Sequence, residues 1–296
     1  MRAPRQRLHD AGNAWGVIAM FEKFSRSWAL VKASAAVLRS DRELMLFPLL
    51  SGAATLVVLA TFLLPMFALR IFDGGFSAGA AIFGFLFYFC QYSVIIFFNC
   101  ALVGAALIRL EGGDPTVRDG FDAAKSRLPA IFGYAAIAAT VGVLLQGLKG
   151  RDNNVLVRLV GSGLGVAWTL ATFLVVPVLV SRDIGPIDAL RQSVDLLKRT
   201  WGENAVGQVG IGAAFGLLTA AMVLVGVGLV VLAAQASVAL AVVVAIVAGL
   251  AVLLLGIYQA ALSGVYSAAL YRYAVSHETP AGFKGVALEQ AFVPKA

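Results

Sequence analysis

NAVGQVGIGAAFGLLTAAMVLVGVGLVVLAAQASVALAVVVAIVAGLAVLLLGIYQAALSGVYSAALY, residues 204–271, contains no Asp, Glu, Lys or Arg in 68 positions. As one helix it would measure about 100 Å at about 1.5 Å per residue, against a bilayer hydrocarbon core of about 30 Å. The run therefore folds back on itself as a hairpin, with its turn near Gln235 to Ser237. Four more uncharged runs precede it: Leu44 to Leu69, Gly74 to Ile108, Leu128 to Leu148 and Leu159 to Ser181. Together they predict six transmembrane helices, at about 44–69, 79–108, 130–148, 157–180, 206–232 and 239–270. Strands of an outer-membrane barrel alternate over about ten residues and do not stay apolar for twenty, so a barrel is excluded.

Composition agrees. Of 296 residues 60% are apolar and 13% charged, and the mean hydropathy is +0.89, which leaves too little charge to coat a soluble domain. The net charge of +7 is spread over the connecting segments. That distribution suits anionic lipid headgroups better than nucleic acid. Nineteen Lys and Arg fall on one side of the predicted spans and four on the other, so the positive-inside rule puts both termini in the cytoplasm. The expected location is the bacterial cytoplasmic (inner) membrane.

Residues 1–19 differ from the rest, with Arg2, Arg5 and Arg7 beside a short apolar patch from Ala14 to Met20. That patch is too short for a signal peptide. Met20 opens a patterned segment, so 1–19 reads either as over-called upstream sequence or as a disordered tail. A single membrane domain is expected over 20–283 and a short cytoplasmic tail over 284–296.

A short amphipathic segment stands before each expected hairpin. Phe24, Trp28, Val31, Ala35 and Leu38 share a helical face, as do Val117, Phe121, Ala124 and Leu128, and then Ile187, Leu190, Val194, Leu197 and Trp201. Such helices are expected to lie in the headgroup plane, apolar side down, the alternative being solvated helices packed on a cytoplasmic domain. Each hairpin ends in a similar way, with Arg109, Arg182 or Arg272 followed by Pro115, Pro186 or Pro280. Pro115 and Pro186 suit the first turn of a helix. The fold class expected is thus an all-α membrane protein of three pseudo-repeats, each an interfacial helix plus a transmembrane hairpin.

Chemistry-bearing residues are sparse. The two histidines, His9 and His277, lie in terminal segments, and no H-E-x-x-H or G-x-S-x-G motif occurs. Cys90 and Cys100 fall in one apolar run and build neither a disulfide framework nor a zinc site. Asp114, Asp119 and Asp183 at the interface are the conceivable metal cluster, and without it no enzyme activity, cofactor or metal is expected. Gly161 and Gly165, like Gly212 and Gly216, have the spacing of close helix packing. No predicted span has a charge at its centre, which argues against an ion-coupled transporter. Neutral polar residues remain there, foremost Asn99 and Gln259, with Gln91, as interhelical glue or as the lining of a path.

The segments FEKFSRSWALVKASAAVLRSDRELMLFPLLSG (21–52), FFNCALVGAALIRLEGGDPTVRDGF (97–121) and YQAALSGVYSAALYRYAVSHETPAGF (258–283) resemble an uncharacterised family of bacterial six-helix membrane proteins. More loosely, the layout is similar to the membrane domain attached to some glycerophosphodiester phosphodiesterases, whose soluble catalytic domain has no counterpart here. The resemblance implies motif positions at Trp28, Asp41, Pro48, Asn99, Arg109, Asp114, Pro115, Gly120, Phe121, Tyr271 and Arg272. It implies architecture and no active site. The leading expectation is a non-enzymatic scaffold or accessory subunit in membrane or envelope homeostasis, touching anionic headgroups and a protein partner or second copy. The alternative is a carrier or channel for a lipid or apolar solute along Asn99, Gln91 and Gln259.

Overall fold

The computed structural model describes residues 32–68, 78–150, 155–200 and 205–276. Helix α1 (32–40) leads through a short 3-10 turn, Arg42–Met45, into α2 (Leu46–Ala68) and α3 (Ala78–Leu110). There follow α4 (Val117–Lys125), α5 (Leu128–Gly150), α6 (Val155–Thr172), α7 (Val175–Ser181), α8 (Pro186–Thr200), α9 (Ala205–Ala236) and α10 (Val238–Ser276). Among the described residues there is no strand. Six stretches are long and apolar enough to cross a membrane: Arg42–Phe67, Gly79–Leu110, Leu128–Leu145, Gly163–Ser181, Phe215–Ala236 and Val238–Ser276. The chain is an all-α, multi-pass membrane protein.

The long uncharged run turns where expected. Ser237 alone separates α9 from α10, and its hydroxyl accepts the Leu240 N–H at 3.1 Å, as a helix cap does. Gly226 then faces Ala248 across the antiparallel pair.

The fully buried side chains lie towards the end that carries Arg109, Arg127, Arg182 and Arg272. Cys100, Leu102, Ile131, Val178 and Val265 are fully buried there, around α3, which packs against α2, α4, α5, α7 and α10. At the other end the side chains face outward, as with Phe67 at 72% and Val238 at 77% exposure. Lipid covers such a surface in a membrane.

Glycines mark the close crossings. A Cβ on Gly104 would lie 2.7 Å from that of Ala123, one on Gly120 would lie 2.7 Å from the Ala101 carbonyl, and one on Gly264 would strike Leu102. Gly165, Gly212 and Gly216 instead have open space around them, which corrects their reading as packing positions; Gly161 lies outside the residues whose side chains are described. Spacing along one helix does not say whether a second helix lies opposite.

The amphipathic helices pack on protein. Phe121 of α4 joins Phe47, Phe97 and Phe98 at ring-centroid distances of 5.7, 6.0 and 5.9 Å, while Gly120 and Ala124 beside it are buried. On α8 the buried positions are Ala189, Ser193 and Leu197, and Ile187 is 56% exposed, so the covered face is turned by about one residue from the expected stripe. In α1 the buried face is Ala33, Ser34, Val37 and Leu38. Trp28 and Phe24 lie outside the described residues. Periodicity identified an apolar face, and the small residues within it decide that a neighbouring helix covers it.

Local signals fix the connections. The α3 C-terminus closes in a Schellman motif, with Gly113 N–H to the Ile108 carbonyl and Gly112 N–H to the Arg109 carbonyl, both 3.0 Å, and Gly112 at φ +88. Helix α4 opens with a Thr116/Asp119 capping box, and Glu43 adds a carboxylate to the Val117 N–H at 3.1 Å. Pro115 therefore precedes the cap instead of occupying the first turn; Pro186 does occupy the first position of α8. A short helix precedes each hairpin, but the fourth span is broken where the second and sixth are continuous.

A cavity at a broken transmembrane helix

The break lies just ahead of Pro177. In a continuous helix its ring would collide with the Phe173 carbonyl and offer it no N–H, so α6 stops at Thr172 and α7 starts at Val175. Leu174, the cap residue, has φ −98 and ψ 6 and no side-chain hydrogen bond of its own. Two backbone groups that a helix would pair are instead satisfied from α8. Ser193, fully buried, donates its hydroxyl to the Ala171 carbonyl at 2.7 Å and accepts the Leu174 N–H at 3.1 Å. One hydroxyl thus spans the gap, as a discontinuous helix in a membrane requires.

A cavity of about 220 Å³ lies beside this break. Asn99 and Val103 line it from α3, Phe173 and Val176 from the broken span, and Ala260, Ser263, Gly264 and Ser267 from α10. Along α3 Asn99 is ten residues from Arg109 and along α10 Ser263 is nine from Arg272, so both lie about 14 Å inside the arginine layer at about 1.5 Å per residue. Two independent helices place the cavity at one depth. The close approach of Gly264 to Leu102 holds α10 against α3 beside it. Ser267 donates back to the Gly264 carbonyl at 2.9 Å, whereas the Asn99 amide has no hydrogen-bond partner among the described residues.

Of the polar residues expected to form a path, Asn99 lines the cavity. Gln259 and Gln91 do not, although Gln91 carries a buried side-chain oxygen without a partner. Pro177, Ser193, Ser263 and Ser267 were not singled out from the sequence. The signals were a proline inside the fourth uncharged run and two serines four apart around a glycine.

The interfacial candidates form a separate layer of ion pairs. Arg109 holds Asp114 at 3.1 Å, Arg272 holds Glu111 at 2.7 Å and Arg127 pairs with Asp183, while the Gln192 amide, with its oxygen turned to Arg182, accepts from that guanidinium at 2.6 Å. Arg109, Arg127 and Arg272 are mostly covered while Arg182 is exposed and Asp114 and Asp183 are 97% and 95% exposed, as when long side chains reach from an apolar end towards water. Asp114, Asp119 and Asp183 thus serve an ion pair, a helix cap and a second ion pair. No group of three metal-capable side chains occurs among the described residues. Asp119 is held below the usual carboxylate range by the hydrogen bonds of the Thr116 N–H and hydroxyl. Burial pushes the Asp41 carboxyl up, opposed by the Glu43 N–H and then by Arg109.

The family profile that matches this chain runs over residues 78–283, from the start of α3 past the end of α10. The chain belongs to a family of unknown function (DUF6159). No curated protein matches it, and the likeness to the membrane domain of glycerophosphodiester phosphodiesterases gains no support. The matched region contains the break, the Ser193 clasp and every residue lining the cavity.

Proposed function

We propose that this protein is a non-enzymatic carrier for a lipid or apolar solute in the bacterial cytoplasmic membrane, with the cavity at the broken span as its binding site. One observation carries the reading: an uncharged cavity, about 14 Å inside the arginine layer at about 1.5 Å per residue, where an Asn99 amide without a hydrogen-bond partner among the described residues meets a discontinuous helix. Interrupted helices lining a pocket within the membrane are the usual construction of carrier binding sites. The scaffold reading keeps one support, the uncharged outer surface of α9 and α10, on which Leu224 is 74% exposed.

Affinity purification in mild detergent, with co-purifying lipids and proteins both identified, separates the two. A lipid retained by the native protein and lost in Asn99→Leu supports the carrier. A stoichiometric protein partner with no retained lipid supports the scaffold and sinks the carrier.

The proposed orientation has the arginine layer at the cytoplasmic face, where anionic headgroups meet it, on the strength of the nineteen-to-four Lys and Arg asymmetry. Reporter fusions after Asp73 and Asp152 should then read as periplasmic, and those after Ser126 and Thr200 as cytoplasmic. The opposite pattern would invert the protein.

A further inference from the structure

The lining of the cavity restricts the charge of its occupant. Its polar groups are the Asn99 amide and the hydroxyls of Ser263 and Ser267; the remaining lining is Val103, Phe173, Val176, Ala260 and the Gly264 backbone. None of these carries a charge, and Arg109 and Arg272 stand about 14 Å away along α3 and α10 at about 1.5 Å per residue. An ionised group here would lose its hydration and meet no counter-charge, which costs far more than two or three neutral hydrogen bonds return. A neutral group that both donates and accepts matches what the site offers. The amide presents two N–H donors and an acceptor oxygen, and the Ser267 hydroxyl, having given its proton to the Gly264 carbonyl, keeps its lone pairs free.

Size and access narrow the class further. About 220 Å³ falls below the roughly 300 to 1,000 Å³ of ordinary ligand pockets, so it holds a group of glycerol size and not a pair of acyl chains. At the rim Ala260 is exposed on the flank of the bundle, and on the same helix Leu253 and Leu254 are exposed too. In a membrane that flank faces lipid tails. A headgroup thus enters sideways while its chains stay in the bilayer.

We propose that the cavity takes the uncharged, hydrogen-bonding head of a neutral lipid, a hydroxyl or ester of the kind carried by diacylglycerols and long-chain alcohols, and rejects phosphorylated lipids. This inference rests on the carrier reading and names the chemistry of its cargo. A free polyol shares the same hydrogen-bonding chemistry, so the test has to distinguish the two sources.

The full chain, purified in detergent, is presented with dioleoylglycerol, hexadecanol, dioleoyl phosphatidic acid or glycerol, and retained ligand is counted by native mass spectrometry. Dioleoylglycerol and hexadecanol should be retained about tenfold or more over the phosphatidic acid, since a charge without a partner is excluded. Glycerol should not be retained at equal concentration. Asn99→Leu and, independently, Ser263→Val should each lower dioleoylglycerol retention about threefold or more while staying monodisperse, as loss of one hydrogen-bonding group requires. Equal or stronger retention of the phosphatidic acid overturns the charge rule, and retention of glycerol to the level of dioleoylglycerol overturns entry by a lipid head. Unchanged retention in both variants overturns the site. The carrier reading fails separately, if no lipid of any class is retained.

Discussion

Ser193→Ala should lower the thermal unfolding midpoint in detergent by roughly 6 to 12 °C, more than any other removal of a single oxygen from the α8 surface. The hydroxyl satisfies two backbone groups at once, the part-buried Ala171 carbonyl and the buried Leu174 N–H, and without it both are left unpaired. Each orphaned group costs about 1 to 3 kcal/mol. The sum, about 3 kcal/mol, corresponds to that shift at about 2 to 4 °C per kcal/mol for a chain of this size. The test becomes specific when combined with Pro177→Ala. With the proline gone, the span can close as one helix, so that Leu174 N–H finds the Leu170 carbonyl and the Ala171 carbonyl finds the Val175 N–H. The double variant should therefore lose less than the sum of the single losses, by about 1 to 3 kcal/mol of coupling. Strict additivity would show that Ser193 acts through packing alone and that the clasp is not what stabilises the break.

The broken span also shows where reading a sequence stops. Charge gaps predicted six crossings, and the turn at Ser237 fell inside the expected interval, because an uncharged run of 68 residues has only one way to fit a bilayer. Pro177 was equally visible in the fourth run. Yet a proline in a membrane helix is compatible with a kink, a break or nothing more than a lost bond, and which of these occurs depends on a partner for the freed backbone. That partner, Ser193, stands on a different helix, in a segment read for its apolar face. A buried serine in an amphipathic stripe looks like an interruption of the stripe until its acceptor is known.

The cavity was half legible for a similar reason. Asn99 stood out as an amide deep in an apolar run, and it does line the cavity. Gln259 and Gln91 have the same chemistry, but Gln91 lies about 12 Å deeper on α3 at about 1.5 Å per residue, and rotation about α10 takes Gln259 away from the cavity. Residue type reports that a polar group is expensive in the membrane; only the mutual rotation of α3 and α10, set by the Gly264 and Leu102 contact, decides which of them share a space. The same distinction holds for the acidic residues of the arginine layer. Arg109, Asp114 and Arg272 are at the expected interface, and their neighbours turn them into ion pairs that, being exposed on the acidic side, contribute only about 0 to 1 kcal/mol each.

Gly120→Leu decides whether α4 belongs to the bundle or to the membrane surface. If the helix lay in the headgroup plane on its apolar stripe, an added leucine beside Phe121 would strengthen its attachment, and leucine's better helix propensity would add about 0.8 kcal/mol. In the packed arrangement the outcome reverses. A Cβ at this position meets the Phe47 ring and lies 2.7 Å from the Ala101 carbonyl, and although a ring can swing aside, a backbone carbonyl inside α3 cannot. The larger side chain would lever α4 off α3, break up the contacts of Phe121 with Phe47, Phe97 and Phe98, and pull the Val117 N–H from Glu43. Overpacking of this kind costs about 1 to 3 kcal/mol, and loss of a core phenylalanine contact set about 3 more. The unfolding midpoint should accordingly drop by about 10 °C or more at about 2 to 4 °C per kcal/mol, while Arg118→Leu, at the exposed neighbouring position, should shift it by less than about 2 °C. An unchanged or raised midpoint in Gly120→Leu, with membrane insertion intact, would return α4 to the lipid surface and detach it from the wall of the bundle that supports the cavity.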